Sequence, residues 1–276
     1  MEEYKTQLME RAEYGKLAFD HFALEKWDYA APAEPSNDQQ QWNSLVREWL
    51  ATPAARRVHR IGEQQWGRHP PPDSSQIARV LAPHQTIQER NITGFLGVSG
   101  RGIGAFDPPV WLRTCYDPEL EDRYQKMYSD ADINDIEAEL VDEALYNFGD
   151  DWEKIFFRLP QLARTDSGRR REELTNGHDN DEGGDYDLDE FDLMVNAAYA
   201  IEHKVRYLIY VLDAEAIRTG LIKLKWLGEF GDVVWENKVA PEQMQDLRGG
   251  MGSGQDLGEL VGAGSSYFTY PDEDDH

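Results

Sequence analysis

Residues 117–192 carry 25 acidic and 8 basic side chains, whereas residues 41–116 carry 5 acidic and 9 basic ones. This imbalance limits the fold more than any other feature, because ionised carboxylates lose hydration when buried unless they are paired. The acidic block must turn its carboxylates to water or to cations and bury only the apolar residues spaced between them. Over 276 residues the formal net charge is −25, with a sequence pI near 4.5. A chain so acidic is excluded as a general nucleic-acid binder, since phosphate binding needs excess positive charge. The net-positive stretch 41–116 is not barred by that argument. Salt adaptation would spread acidity over the whole surface rather than concentrate it in one block.

A hydrophobic fraction of 40%, an aromatic fraction of 11% and eight tryptophans supply the core of one large domain or two ordinary ones. The single cysteine, Cys115, excludes a disulfide framework and a four-cysteine zinc site. Met1-Glu2-Glu3-Tyr4 lacks the basic and apolar regions of a signal peptide, and the longest apolar run, Tyr207 to Leu212, is far too short to span a bilayer. The expectation is an intracellular protein, cytoplasmic or nuclear, with no membrane partner; its oligomeric state is not readable from the sequence.

Helical periodicity dominates the first half. Phe19, Phe22 and Trp27 lie at roughly helical spacing, and Trp42, Leu45, Val46, Trp49 and Leu50 follow the i, i+3, i+4, i+7, i+8 rule. Asp117-Pro118 reads as an N-cap followed by proline, opening a helix to about Ser129. Ile133, Ile136, Leu140, Val141 and Leu145 continue a helical stripe, and Trp152, Ile155, Phe156 and Leu159 make a shorter one stopped by Pro160. Leu188 to Arg218 reads as a long buried helix; beyond Gly220, Ile222, Leu224 and Trp226 alternate with lysines and pair with Val233–Val239 as a β-hairpin. The expected fold is mainly α: a multi-helix globular protein with a C-terminal β-hairpin and a flexible acidic tail. Its expected divisions are a helical domain over 1–163 with a glycine-rich loop at 94–104, an acidic linker over 164–187, the long helix and hairpin over 188–240, and a disordered tail over 241–276.

Three stretches suggest chemistry. The glycines from Gly97 to Gly104, with Arg101, invite a phosphate-loop reading. The spacing matches neither the dinucleotide fingerprint nor the P-loop, and Asp107-Pro108-Pro109 follows where a helix would have to start. An enzyme centred on this loop and Cys115 is the least favoured reading. Arg56, Arg57 and Arg60 form a basic run that, with Arg101, would take an anion. The segment from Asp179 to Glu190 places Asp179, Asp181, Asp185, Asp187 and Glu190 around Gly184 and resembles an EF-hand calcium loop. That likeness implies Ca²⁺ as the one cofactor to test, with Gly183 leaving one ligand position without a side chain. No other cofactor is expected.

Phe148-Gly149-Asp150-Asp151-Trp152-Glu153-Lys154-Ile155, followed by Leu159-Pro160 and Arg164-Thr165, resembles the centre of a SANT/Myb repeat, with Ile133 where the first core tryptophan would stand. The resemblance covers about residues 130–175 and implies a three-helix unit. Its acidic first helices would suit the histone-tail binding that some SANT domains show. The leading expectation is therefore a non-enzymatic, acidic interaction or adaptor protein, chromatin-associated if the resemblance holds. Its basic protein partner would be bound by Glu139, Asp142, Glu143, Asp150, Asp151 and Trp152, charge steering the encounter and the aromatic anchoring it. A calcium-binding protein is the first alternative.

Overall fold

The computed structural model describes residues 13–53, 56–57, 60, 70–96, 109–132, 138–163 and 207–252. The chain divides into two compact units that interleave along the sequence. One comprises Met1–Gly100, Glu153–Asp166 and Glu229–Asp232; the other comprises Arg101–Trp152, Ser167–Gly228 and Val233–His276.

The first unit is built on aromatic helices. Helix α1 (Ala18–Lys26) and helix α2 (Pro35–Ala51) bury the stripe that the periodicity marks: Phe19, Phe22, Trp42, Leu45, Val46 and Trp49. Pro35 opens α2 because a proline at the first helical position forfeits no hydrogen bond. Phe19 meets Trp42 and Trp49 edge to face, with centroids 5.2 and 5.6 Å apart. A helical turn, Ser74–Gln76, is capped by Asp73 and runs into a π turn, Ile77–Leu81, that buries Val80 and Leu81. Helix α3 (Ile87–Leu96) begins with a capping box: Thr86 N donates to Glu89 Oε2 (2.5 Å) and Glu89 N to Thr86 Oγ1 (3.2 Å). Gly94, taken above as the start of the glycine loop, lies in this helix.

Two ion pairs are enclosed by this unit. Arg90 donates to both oxygens of Asp20 (3.0 and 2.6 Å), and both side chains are fully buried. The pair is hydrogen-bonded all round: Gly15 N also donates to Asp20, and Arg90 donates to Gln85 Oε1 and Glu13 O. Arg158 grips the buried Glu89 with Nε and Nη2.

The second unit corrects the expected fold class. Five strands form one mixed sheet in the order β2-β1-β3-β4-β5: β1 (Val110–Arg113), β2 (Glu139–Leu140), β3 (Tyr207–Leu212), β4 (Ile222–Leu227) and β5 (Val233–Val239). Strands β2, β1 and β3 are parallel; β4 and β5 add antiparallel. The protein is thus not mainly α, and the C-terminal region is part of a sheet rather than a β-hairpin on its own. Tyr207–Leu212, read as part of a long helix, is the central strand. All six of its residues are buried, so it shows no period-two alternation, and an unbroken apolar run does not distinguish strand from buried helix.

Helix α4 (Glu121–Asp130) joins β1 to β2, a short helix α5 (Glu143–Tyr146) follows β2, and α6 (Ala214–Thr219) joins β3 to β4. Gly220, at φ +76°, ends α6 in the left-handed conformation that lacks a Cβ penalty. Tyr124 and Met127 of α4 and Ile217 of α6 pack with Trp111, Tyr210, Leu212, Leu224 and Trp226 of the sheet. Met244 and Leu247 of helix α7 (Met244–Gly252) join them, so the chain past Pro241 begins with packed structure where a disordered tail was expected. Residues 253–276 lie outside the described residues.

Candidate functional site

The topology singles out one edge of the second unit. From β1 the chain crosses by α4 to β2 on one side, while β3 pairs with β1 on the other. The loops leaving the carboxyl ends of β1 and β3 therefore turn opposite ways. In open sheets with parallel strands, ligands bind in the crevice at such a switch. The residues there are Thr114, Cys115, Tyr116 and Asp117 after β1, Val141, Asp142 and Glu143 after β2, and Asp213 after β3.

Strand register puts two polar residues, Thr114 and Asp213, level with one another. Leu112 pairs with Leu140, and Arg113 with Leu212. Continuing the second register by one residue sets Thr114 beside Asp213, whereas the β1–β2 pairing ends at Leu112–Leu140. Thr114 N donating to Leu212 O (3.1 Å) confirms the second pairing beyond the strand. Asp213 is buried and fully engaged: it caps α6 by accepting from Ala216 N (2.9 Å) and accepts from Lys223 Nζ (2.7 Å). Asp142 caps α5 through Oδ1, which accepts from Ala144 N (2.9 Å). Thr114 is fully buried, and its hydroxyl has no hydrogen-bond partner among the described residues.

Around this row the electrostatics are one-sided. Asp117, Glu119, Asp142, Glu143 and Asp150 form no ion pair among the described residues, and Gly149 N, next to Asp150, donates to Thr114 O (2.9 Å). Tyr116 donates to Arg113 O (3.0 Å), and burial pushes its hydroxyl pKa up; Arg113 opposes the rise, while Tyr124, Asp142 and Glu143 add to it. Arg113 is spent internally, stacked on Tyr124 (3.8 Å) and Tyr116 (4.4 Å) and paired with Glu121, whose pKa it lowers. The exposed face of β4 and β5 is the opposite case: Lys223, Lys225 and Lys238 pair with Asp213, Glu215 and Glu236, and the two lysines on Glu215 hold its pKa down to about 2.

Of the six expected partner-binding residues, Asp142, Glu143, Asp150 and Asp151 are exposed. Glu139 lies on the opposite face of the sheet by strand alternation and accepts from Tyr128 Oη (3.0 Å). Trp152 is buried beneath Lys225 (5.9 Å), so it is a core residue and not the exposed anchor expected of it.

The basic run does not assemble as expected. Arg57 is fully buried; it donates to Ala163 O (2.6 Å) and Glu229 O, and burial lowers its pKa to about 10. Arg60 pairs with Glu25 (2.8 Å), and of the three only Arg56 is exposed with no ion pair among the described residues. A buried arginine clamping carbonyls holds segments together and is closed to an external anion. Arg101 and the loop beyond Leu96, and the calcium-loop residues Asp179, Asp181, Asp185, Asp187 and Glu190, lie outside the described residues. Within the SANT/Myb-like stretch, the described residues form β2, α5 and 3₁₀ turns at Trp152–Phe157 and Pro160–Leu162; Ile133 and residues 164–175 lie outside.

Comparison with protein-family models, with curated proteins and with solved structures finds no match. Among the described residues no group of three or more His, Cys, Asp or Glu side chains is placed to hold a metal ion. No helix among them is long and apolar enough to cross a membrane. Sequence reasoning passed over Thr114, Asp117, Glu119 and Asp213. The capping pattern Asp117-Pro118 and the aspartate closing the apolar run Tyr207–Leu212 were the available signals.

Proposed function

We propose that this chain is a non-enzymatic interaction protein whose acidic edge, at the carboxyl ends of β1 and β2, binds a basic segment of a partner protein. One observation carries the reading. The carboxylates leaving these two strands are unpaired among the described residues, whereas those on the β4–β5 face are neutralised by lysines. Unpaired carboxylates gathered on one edge repel one another, and a cationic partner relieves that repulsion as it binds. The affinity should be strongly salt-dependent, because exposed charges are screened over about 8 Å at physiological ionic strength.

Fluorescence anisotropy with a labelled basic peptide tests the reading. Binding at low salt, weakening several-fold as salt rises and again in Glu143→Gln/Asp150→Asn, supports it. Absence of binding at low salt, or an unchanged affinity in the double variant, refutes it.

A further inference from the structure

We infer that the outer edge of β5 is a self-association surface, to which a second copy of this chain adds its own β5 antiparallel, with Glu236 facing Lys238 of the other copy. β5 ends the strand order, so its outer edge pairs with no strand among the described residues. The two ends of the sheet are unlike. β2 is only two residues long, and shortness is one of the ways a sheet edge avoids recruiting another strand. β5 is the longest of the five strands, seven residues from Val233 to Val239, with neither proline nor glycine inside it. It is also reachable: Glu236 is exposed, and Val233, Val234, Trp235 and Lys238 are only partly buried. An edge of that length and composition is a template for an added strand.

Charge selects the occupant. Residues 207–240 carry 5 acidic and 4 basic side chains, in a chain of net charge −25. Around β5, Lys225 pairs with Glu236, and Lys223 and Lys238 pair with Glu215. A strongly basic segment finds no excess of carboxylate here, whereas a second copy meets little of the repulsion that the rest of the chain offers it. The order of residues then sets the register. In an antiparallel pair turned about Asn237, Glu236 faces Lys238 and Trp235 faces Val239, and the two-fold axis repeats both pairs. Glu236 and Lys238 share one face of the sheet, and Trp235 and Val239 share the other, by strand alternation. Opposite charges therefore meet on one face and apolar side chains on the other. Parallel, in-register pairing would instead set Glu236 on Glu236 and Lys238 on Lys238. The internal ion pairs use one carboxylate oxygen of Glu236 and one contact of the Lys238 ammonium, which leaves a second oxygen and further N–H donors for the cross-strand pair.

Sedimentation velocity of the full chain at physiological ionic strength tests this. The wild type should pass from monomer to dimer as its concentration rises. Glu236→Lys and Lys238→Glu each set like charges across the two-fold axis and should weaken the dimer about tenfold. An equimolar mixture of the two variants again sets opposite charges at every facing position, so it should dimerise at least as well as the wild type. Each variant also breaks an internal ion pair, but mixing two chains does not repair a loss inside either one. A wild type that stays monomeric at about 1 mM overturns the inference. So does a dimer that neither variant weakens, and so does a mixture no better than its components. Should either variant not fold, Glu236→Cys and Lys238→Cys chains mixed and treated with oxidised glutathione should form the mixed disulfide dimer in preference to either symmetric one. A random distribution of the three dimers overturns the register and with it the inference.

Discussion

Lowering the pH should destabilise the first unit through His84. The imidazole is buried and stacked on Trp42 (centroids 4.4 Å apart, planes 14° apart), and its Nε2 has no hydrogen-bond partner among the described residues. Burial lowers its pKa from 6.5 to about 4; Arg158 pushes in the same direction and Asp38 against it. The folded value lies below the unfolded one, so the unfolded chain takes up the proton first as pH falls. The stability contribution is therefore complete above the unfolded pKa, falls as pH drops towards the folded pKa, and levels off below it. The difference of about 2.5 units, at about 1.4 kcal/mol each, corresponds to about 3 kcal/mol, of which about 2.5 is lost by roughly pH 4.5. The informative quantity is a difference between variants. His84→Phe keeps the stack and removes the titrating group. Urea unfolding followed by tryptophan fluorescence near pH 7 and pH 4.5 should show the wild type losing about 2 to 3 kcal/mol more than His84→Phe. Equal losses in the two proteins would refute the argument.

Asp20→Asn leaves Arg90 buried against a neutral partner and should destabilise by about 3 to 5 kcal/mol, read as a lower urea midpoint. Replacing Arg90 together with Asp20 by apolar residues of similar volume should recover most of that loss, because a buried pair stabilises little beyond its own desolvation. Gly231→Ala should lower the thermal midpoint, since Gly231 sits at φ +81° and a Cβ there would lie 2.7 Å from the Phe156 ring; Gly249→Ala, with open space around it inside helix α7, should instead raise it slightly.

Helices α1 and α2 were legible because each shows one apolar face at helical spacing, whereas α3 was not, its Gly94 having been assigned to the glycine-rich loop. Trp42, Leu45, Val46 and Trp49 are all buried on α2, and the Asp117-Pro118 cap opens a 3₁₀ turn at Pro118–Leu120 that runs into α4. The sheet was misread for an equally definite reason. β1 and β3 are buried on both faces and pair across a long stretch of chain, so neither alternation nor a hairpin turn announced them. Only the Ile222–Leu227 and Val233–Val239 pair, with one partly charged face, showed its period. Of the candidate edge, Asp142, Glu143, Asp150 and Asp151 were legible as charge, but Thr114 and Asp213 were not, because their proximity arises from register between strands and from no local pattern.

By itself the sequence determined where negative charge must face water, because ionised carboxylates resist burial wherever the chain takes them. It likewise determined the amphipathic helices, whose spacing is local. The tertiary structure decided which charges are neutralised: lysines across β4 and β5 cancel nearby carboxylates, buried Arg57, Arg90 and Arg113 are spent on internal partners, and Asp117, Glu119, Asp142 and Glu143 beyond the ends of β1 and β2 form no ion pair among the described residues. A net charge is additive along the chain, but a binding surface depends on distances that only strand pairing sets.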